Sequence, residues 1–96
     1  MRVRYANEHL RRLATDKTYR SKLPPEIIRA YRKAINFLEQ CSDEREIRAW
    51  KGSHFEKFKD HHSIRLNRQF RLELAFEGEG NLRVAVILSA GNYHGD

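Results

Sequence analysis

With a single cysteine, Cys41, this 96-residue chain has no internal disulfide to close, a usage that suits a reducing cytosol. No apolar run approaches the roughly 18 residues of a membrane span. The opening Met1-Arg2-Val3-Arg4-Tyr5 lacks the apolar stretch of a secretory signal, so a cytoplasmic protein with no membrane partner is expected. Linkers, repeats and low-complexity tracts are also missing. That leaves one domain over residues 1–96, with a core able to fold alone but little surplus. Glycine is sparse, and Gly78 and Gly80 sit among glutamates, so there is no glycine-rich loop to cradle a phosphate.

Acidic residues are scarce where the chain begins. Residues 1–41 carry ten Lys and Arg against four Asp and Glu, whereas residues 42–96 carry nine of each. The whole has a net charge of +6 and a pI near 9.8, which favours an anionic partner such as nucleic acid or an acidic protein segment. Within the second half, residues 42–71 hold eight bases against five acids. Two basic zones result, one on the helical half and one around the first core strands, and they could serve two different anionic partners.

Hydrophobic spacing predicts the elements. Arg2-Val3-Arg4-Tyr5 reads as an edge strand, and Asn7 caps a helix over Glu8–Ala14. Pro24-Pro25 starts a second helix, whose apolar stripe is Ile27, Ile28, Tyr31, Ile35, Leu38 and Cys41, with Arg29, Arg32, Lys33 and Asn36 opposite. Ser42-Asp43, with Glu46 in the capping-box position, opens a short third helix through Trp50. Ser63–Asn67 and Phe70–Glu77 alternate with period two and read as a tightly joined strand pair. Leu82–Leu88 is a further strand, which Ser89-Ala90-Gly91-Asn92 breaks. The expected fold class is α+β, with an N-terminal helical hairpin packed on one face of a small antiparallel sheet.

The polar face of the strand pair carries Arg65, Asn67 and Arg71. Two readings fit it, a solvated sheet face or a platform for a phosphate-bearing substrate. Tyr93-His94 follows the last strand and could move protons near neutral pH, although an incidental surface pair has the same composition. Together these side chains are of the types that metal-free RNA cleavage uses: cations for charge developing on phosphorus, and groups to take and give a proton. A zinc site is not expected, because His54, His61, His62, His94 and Cys41 match no structural zinc spacing and His61 and His62 would face opposite ways on a strand.

His54-Phe55-Glu56-Lys57-Phe58-Lys59, followed by Ser63-Ile64-Arg65-Leu66-Asn67-Arg68-Gln69-Phe70-Arg71-Leu72 and the closing Tyr93-His94, resembles the HigB-type toxins of the RelE/ParE superfamily. The likeness runs over about residues 54–96 in order and spacing; the N-terminal half agrees in helical character and length. It implies a microbial-RNase-like α+β toxin of a type II toxin-antitoxin system that cleaves mRNA on the translating ribosome without a cofactor. Its implied partner is a HigA-type helix-turn-helix antitoxin, and operator DNA would be met only through the antitoxin complex. By position, Arg71 matches the arginine at the scissile phosphate and Lys59 the lysine of the basic segment, with Lys57 beside it. Tyr93 and His94 match the terminal positioning and acid/base pair, and Arg65, Asn67 and Arg68 lie in the supporting motif.

The chain also departs from that pattern. The loop after Lys59 is short and lacks the usual glycine, which raises His61 and His62 as substitutes. Asn92 stands where the family has aspartate, and Glu56 where its basic segment has histidine. Two alternatives stay open: a toxin of the same fold that binds DNA gyrase, as ParE-like members do, and a non-catalytic RNA-binding or co-repressor module. Tyr93-His94 with Arg71 discriminates against the first, since a gyrase poison does not need them. A neighbouring gene for a helix-turn-helix protein would argue against the second.

Overall fold

The computed structural model describes residues 1–92, in which a strand precedes three helices and four further strands follow. In chain order they are β1 (Arg2–Tyr5), α1 (Glu8–Thr15), α2 (Pro25–Gln40), α3 (Glu44–Ala49), β2 (Glu56–Lys57), β3 (His62–Arg65), β4 (Phe70–Glu77) and β5 (Val84–Asn92). Short 3-10 turns lie at Lys51–Ser53 and Gly80–Leu82. No helix among the described residues is long and apolar enough to cross a membrane.

The helices start where side chains can take up the unpaired N–H groups of a first turn. Asn7 Oδ1 accepts from the Leu10 N–H at 3.0 Å. Pro25 sits in the first turn of α2, where its missing N–H costs nothing. Asp43 Oδ1 accepts from the Arg45 N–H at 2.9 Å, and Glu46 reaches back to the Ser42 N–H at 2.9 Å. Arg32 does not lie on an outer polar stripe as its spacing suggests. It is half-buried, and its guanidinium donates to the carbonyls of Leu13 at 3.0 Å and Asp16 at 3.2 Å, completing the C-terminal end of α1. The buried Tyr31 hydroxyl donates to the Leu10 carbonyl at 2.8 Å and ties the same two helices.

The sheet order is β1-β5-β4-β3-β2. The expected all-antiparallel sheet is corrected to a mixed one, because β1 runs parallel to β5 while every other neighbour is antiparallel. The chain opens on that strand, which precedes the helices. Its edge position is as expected, with the Ala6 N–H donating to the Ile87 carbonyl at 2.8 Å just beyond the paired residues. One face of the sheet meets the helices. Leu10, Leu13, Tyr31, Ala34, Ile35, Leu38 and Ile47 close over Ile64, Leu72, Leu74, Ala85 and Ile87. Each large side chain taken from water there contributes about 1.5–3 kcal/mol, which is what holds the two layers together.

The expected break at Ser89–Asn92 is also corrected, since β5 continues through Asn92 opposite Phe70. A register shift makes this possible. Glu73 pairs with Ser89 but Leu74 pairs with Ile87, so Leu88 is an extra residue in β5 and is left 39% exposed. Before it Ala85 and Ile87 point into the core; after it the alternation restarts, with Ser89 and Gly91 facing away from the helices. At the other end of β4, Gly78 turns the chain with φ +79°, and a Cβ there would run into the Leu82 carbonyl oxygen.

Candidate active site

The sheet face turned from the helices carries Ser63, Arg65, Arg71, Glu73, Ser89 and Gly91, set by the antiparallel registers Ser63↔Glu73, Arg65↔Arg71, Glu73↔Ser89 and Arg71↔Gly91. Arg71 is not the open cation that alternation suggests, because it is only 8% exposed. Its Nε donates to Ser63 Oγ at 2.7 Å, and its Nη2 donates to the His54 carbonyl at 2.7 Å and pairs with Glu56 Oε1 at 2.9 Å. Burying a guanidinium requires such partners. The His54 carbonyl reaches it from a left-handed residue (φ 43°), a conformation that non-glycine residues seldom adopt and that persists where surrounding contacts enforce it.

Beside Arg71 opens a cleft of about 240 Å³ lined by Phe58, His61, Arg71, Glu73, Ser89, Gly91 and Asn92. The tight turn from Phe58 to His61, closed by the Phe58 N–H donating to the His61 carbonyl at 2.7 Å, brings His61 over the end of the sheet. Its Nδ1 lies 2.9 Å from Asp60 Oδ1 and its Nε2 2.9 Å from Glu73 Oε2, so a carboxylate faces each ring nitrogen. The doubly protonated imidazolium is therefore favoured. The bond to Asp60 foremost, then Glu73, raises the His61 pKa against the opposing effect of burial, and the same bond lowers that of Asp60. The Phe58 ring stacks on His61 with centroids 4.9 Å apart. The other Glu73 oxygen accepts from Ser89 Oγ at 2.7 Å.

The remaining expected site residues divide by face. His62 turns to the core side, stacked on Phe55 at 5.0 Å and edge-on to Phe76 at 5.1 Å, and burial lowers its pKa. Its buried Nδ1 has no hydrogen-bond partner among the described residues. Lys57 lies opposite His62 in register and so shares that side, away from Arg71. Lys59 is exposed in the turn between the two lining residues Phe58 and His61. Arg65 sits across from Arg71, its Nε donating to the Asn67 carbonyl at 3.2 Å and its Nη1 3.3 Å from His54 Nε2. Asn67 builds the β3–β4 turn, because its Oδ1 accepts from the N–H groups of Gln69 and Phe70, both at 2.8 Å. Arg68 is exposed in the same turn. Among the described residues none of Lys57, Lys59, Arg65 and Arg68 pairs with a carboxylate, and of these Lys59, Arg65 and Arg68 add positive charge on the cleft side or in the turns beside it. Tyr93 and His94 lie outside the described residues; they follow Asn92, the last lining residue, in sequence.

Glu73, Ser89 and Phe58, which line the cleft, and Asp60, which holds His61 from outside it, are the site residues that sequence reasoning passed over. Glu73 had a visible signal, since it stands two places after Arg71 on one alternating strand and so shares its face. Ser89 had none, because only the extra Leu88 turns it there. Among the described residues no group of three His, Cys, Asp or Glu gathers to hold an ion. Cys41 is buried among apolar side chains, and that burial raises its thiol pKa, the opposite of what a nucleophile needs.

A family model described as a RelE-like toxin of the type II toxin-antitoxin system HigB matches residues 3–88, which includes every element from β1 to most of β5. No curated protein matches the chain.

Proposed function

This chain belongs to the HigB-like family of RelE-like toxins of type II toxin-antitoxin systems, and from that premise we propose that it is a ribosome-dependent, metal-independent mRNA endoribonuclease. An antitoxin partner is implied by the family; a HigA-type helix-turn-helix protein is the one proposed here, with the ribosome and mRNA as targets in the cytoplasm. The observation that carries the reading is the cleft in which Arg71, fixed by Ser63, His54 and Glu56, stands beside the His61–Glu73 pair. Cleavage of an RNA strand by its own 2′-hydroxyl builds negative charge on the phosphate oxygens, and a cation already oriented by the fold stabilises that charge without reorganising. Arg71 takes that role. Lys59 adds positive charge from the adjoining turn, Tyr93 positions the phosphate, and His94 protonates the leaving 5′-oxygen. The side of the β3–β4 hairpin that carries the half-buried Arg65 and the exposed Arg68 steers the RNA strand.

The test is to induce the protein and map mRNA 5′ ends. New ends within translated reading frames, absent when the same RNA is incubated without ribosomes, are expected, and Arg71→Lys or His94→Ala should remove them while circular dichroism stays unchanged. Unbroken messages with DNA breaks at gyrase sites would replace this reading with the gyrase one. Equal cutting of naked RNA would overturn the ribosome dependence.

A further inference from the structure

We infer that Glu73 is the general base of this site, taking the proton from the attacking 2′-hydroxyl, and that His61 is its positioning residue. The inference rests on the ribonuclease reading above and adds to it the group that starts the reaction. A general base must offer a lone pair to the proton, be oriented, and be open to the substrate. Glu73 meets the three conditions. Asp60, His61 and Glu73 form one chain of contacts at 2.9 Å each, in which a single imidazolium lies between two carboxylates. One imidazole ring is thus shared by two carboxylates, so Glu73 is not matched one to one by a cation there. Arg71 is separately matched by Glu56 at 2.9 Å.

Orientation comes from both sides of the carboxylate. Oε2 faces His61 Nε2 at 2.9 Å and Oε1 accepts from Ser89 Oγ at 2.7 Å, so each carboxylate oxygen is held by a neighbour from a different part of the chain. Each oxygen has a second lone pair, which leaves the group able to accept a proton. Access follows from exposure. The Glu73 side chain is 45% exposed and lines the cleft with Arg71, so its oxygens can be reached from the cleft. His61 is a poorer candidate for the base, because both its nitrogens already face carboxylates and the protonated ring has no lone pair to offer.

The step balances without a further reactant. The 2′-oxygen forms a bond to phosphorus as its proton passes to a Glu73 oxygen. The bond from phosphorus to the 5′-oxygen breaks, and that oxygen gains a proton from His94, the acid proposed above. The products are a 2′,3′-cyclic phosphate and a 5′-hydroxyl. Because the base and the acid must stand on opposite sides of phosphorus, His61, bonded directly to Glu73, holds the base and does not act as the acid. Among the described residues the charged groups around Glu73 are His61 and Asp60 from the turn before β3 and Arg71 on β4; Ser89 on β5 is the neutral donor.

The experiment is single-turnover cleavage of mRNA on programmed ribosomes, comparing wild type with Glu73→Gln, Glu73→Asp and His61→Gln across pH. Glu73→Gln should slow cleavage by about 10²–10⁴-fold and abolish the rise in rate with pH on the acid limb, while affinity for ribosomes carrying a 2′-deoxy nucleotide at the cut site stays unchanged. Glu73→Asp should retain the acid limb at reduced rate, and His61→Gln should shift its midpoint. Wild type that cuts, with Glu73→Gln cutting at a rate within about threefold and an unaltered pH profile, overturns this inference alone. Wild type that leaves mRNA intact overturns the ribonuclease reading and this inference with it. If Glu73→Gln does not fold, the pH profile of Glu73→Asp decides, and loss of its acid limb counts against the assignment.

Discussion

Ser63→Ala tests how Arg71 is held, without touching a residue that meets the RNA. Ser63 is 1% exposed, and its Oγ accepts the Arg71 Nε hydrogen bond at 2.7 Å. A hydrogen bond to a charged group is worth about 1.5–3 kcal/mol when its loss leaves the charge short of a partner. The His54 carbonyl and Glu56 still hold Nη2, and the Arg71 side chain keeps 10% exposure to water. The lower end of that range therefore applies, about 1.5 kcal/mol. In a domain of this length each kcal/mol moves the melting temperature by roughly 4–8 °C, so a fall of about 6–12 °C is expected. Urea denaturation should show a lower midpoint at unchanged slope, because the native surface is the same. Losing the Nε contact loosens the orientation of the guanidinium, and a displacement near 1 Å costs about 10²-fold in a positioned reaction. Cleavage should thus fall further than loss of folded protein explains. An unchanged urea midpoint would refute the energetic argument. A lowered midpoint with full cleavage at a temperature where the variant is folded would refute the positioning argument and leave Ser63 a purely structural residue.

The His61 contacts predict a pH-dependent stability. The folded pKa is raised above the ordinary 6.5, so the stabilisation is fully present below that value and is lost as pH rises through the higher folded value. His61→Asn should accordingly destabilise the protein more in urea titrations at mildly acidic than at alkaline pH; an equal loss at both would show that His61 folds in as a neutral ring. Gly78→Ala forces a Cβ against the Leu82 carbonyl at φ +79° and should cost at least the roughly 1–2 kcal/mol of a left-handed alanine, read by thermal denaturation. A variant as stable as wild type would mean that the β4–β5 turn rearranges freely.

Local signals carried much of this architecture in the sequence. Asn7 and Asp43 cap the helices that follow them, Pro25 opens α2, and the alternation of Phe70 to Glu77 marks β4. What stayed hidden depends on partners far along the chain. The parallel seating of β1 on β5 joins Arg2 to Val84, and no property of either segment announces the pairing. Ser89-Ala90-Gly91-Asn92 has the composition of a strand end, yet β4 offers a partner for each of these residues and the strand continues. At the site, the chemistry of Arg71 was legible and its surroundings were not. Its partners include a backbone carbonyl 17 residues earlier, aimed by a left-handed His54 that no turn motif around it signals. The shortened loop after Lys59 pointed to both His61 and His62, and the strand period alone separates them, one over the cleft and the other in the core margin.

The extra residue at Leu88 divides β5 into two stretches of opposite phase, so that one strand does two jobs. Upstream, the odd-numbered residues Ala85 and Ile87 are the apolar wall of the domain; downstream, the odd-numbered Ser89 and Gly91 are the wall of the cleft. The separation depends on Leu88 staying outside the ladder. Were Leu88 drawn in opposite Glu73 as an ordinary paired residue, Ser89 would fall to the helix side and leave the carboxylate with His61 alone. Each half can then change in composition without upsetting the other, as long as Ile87 stays opposite Leu74 and Ser89 opposite Glu73.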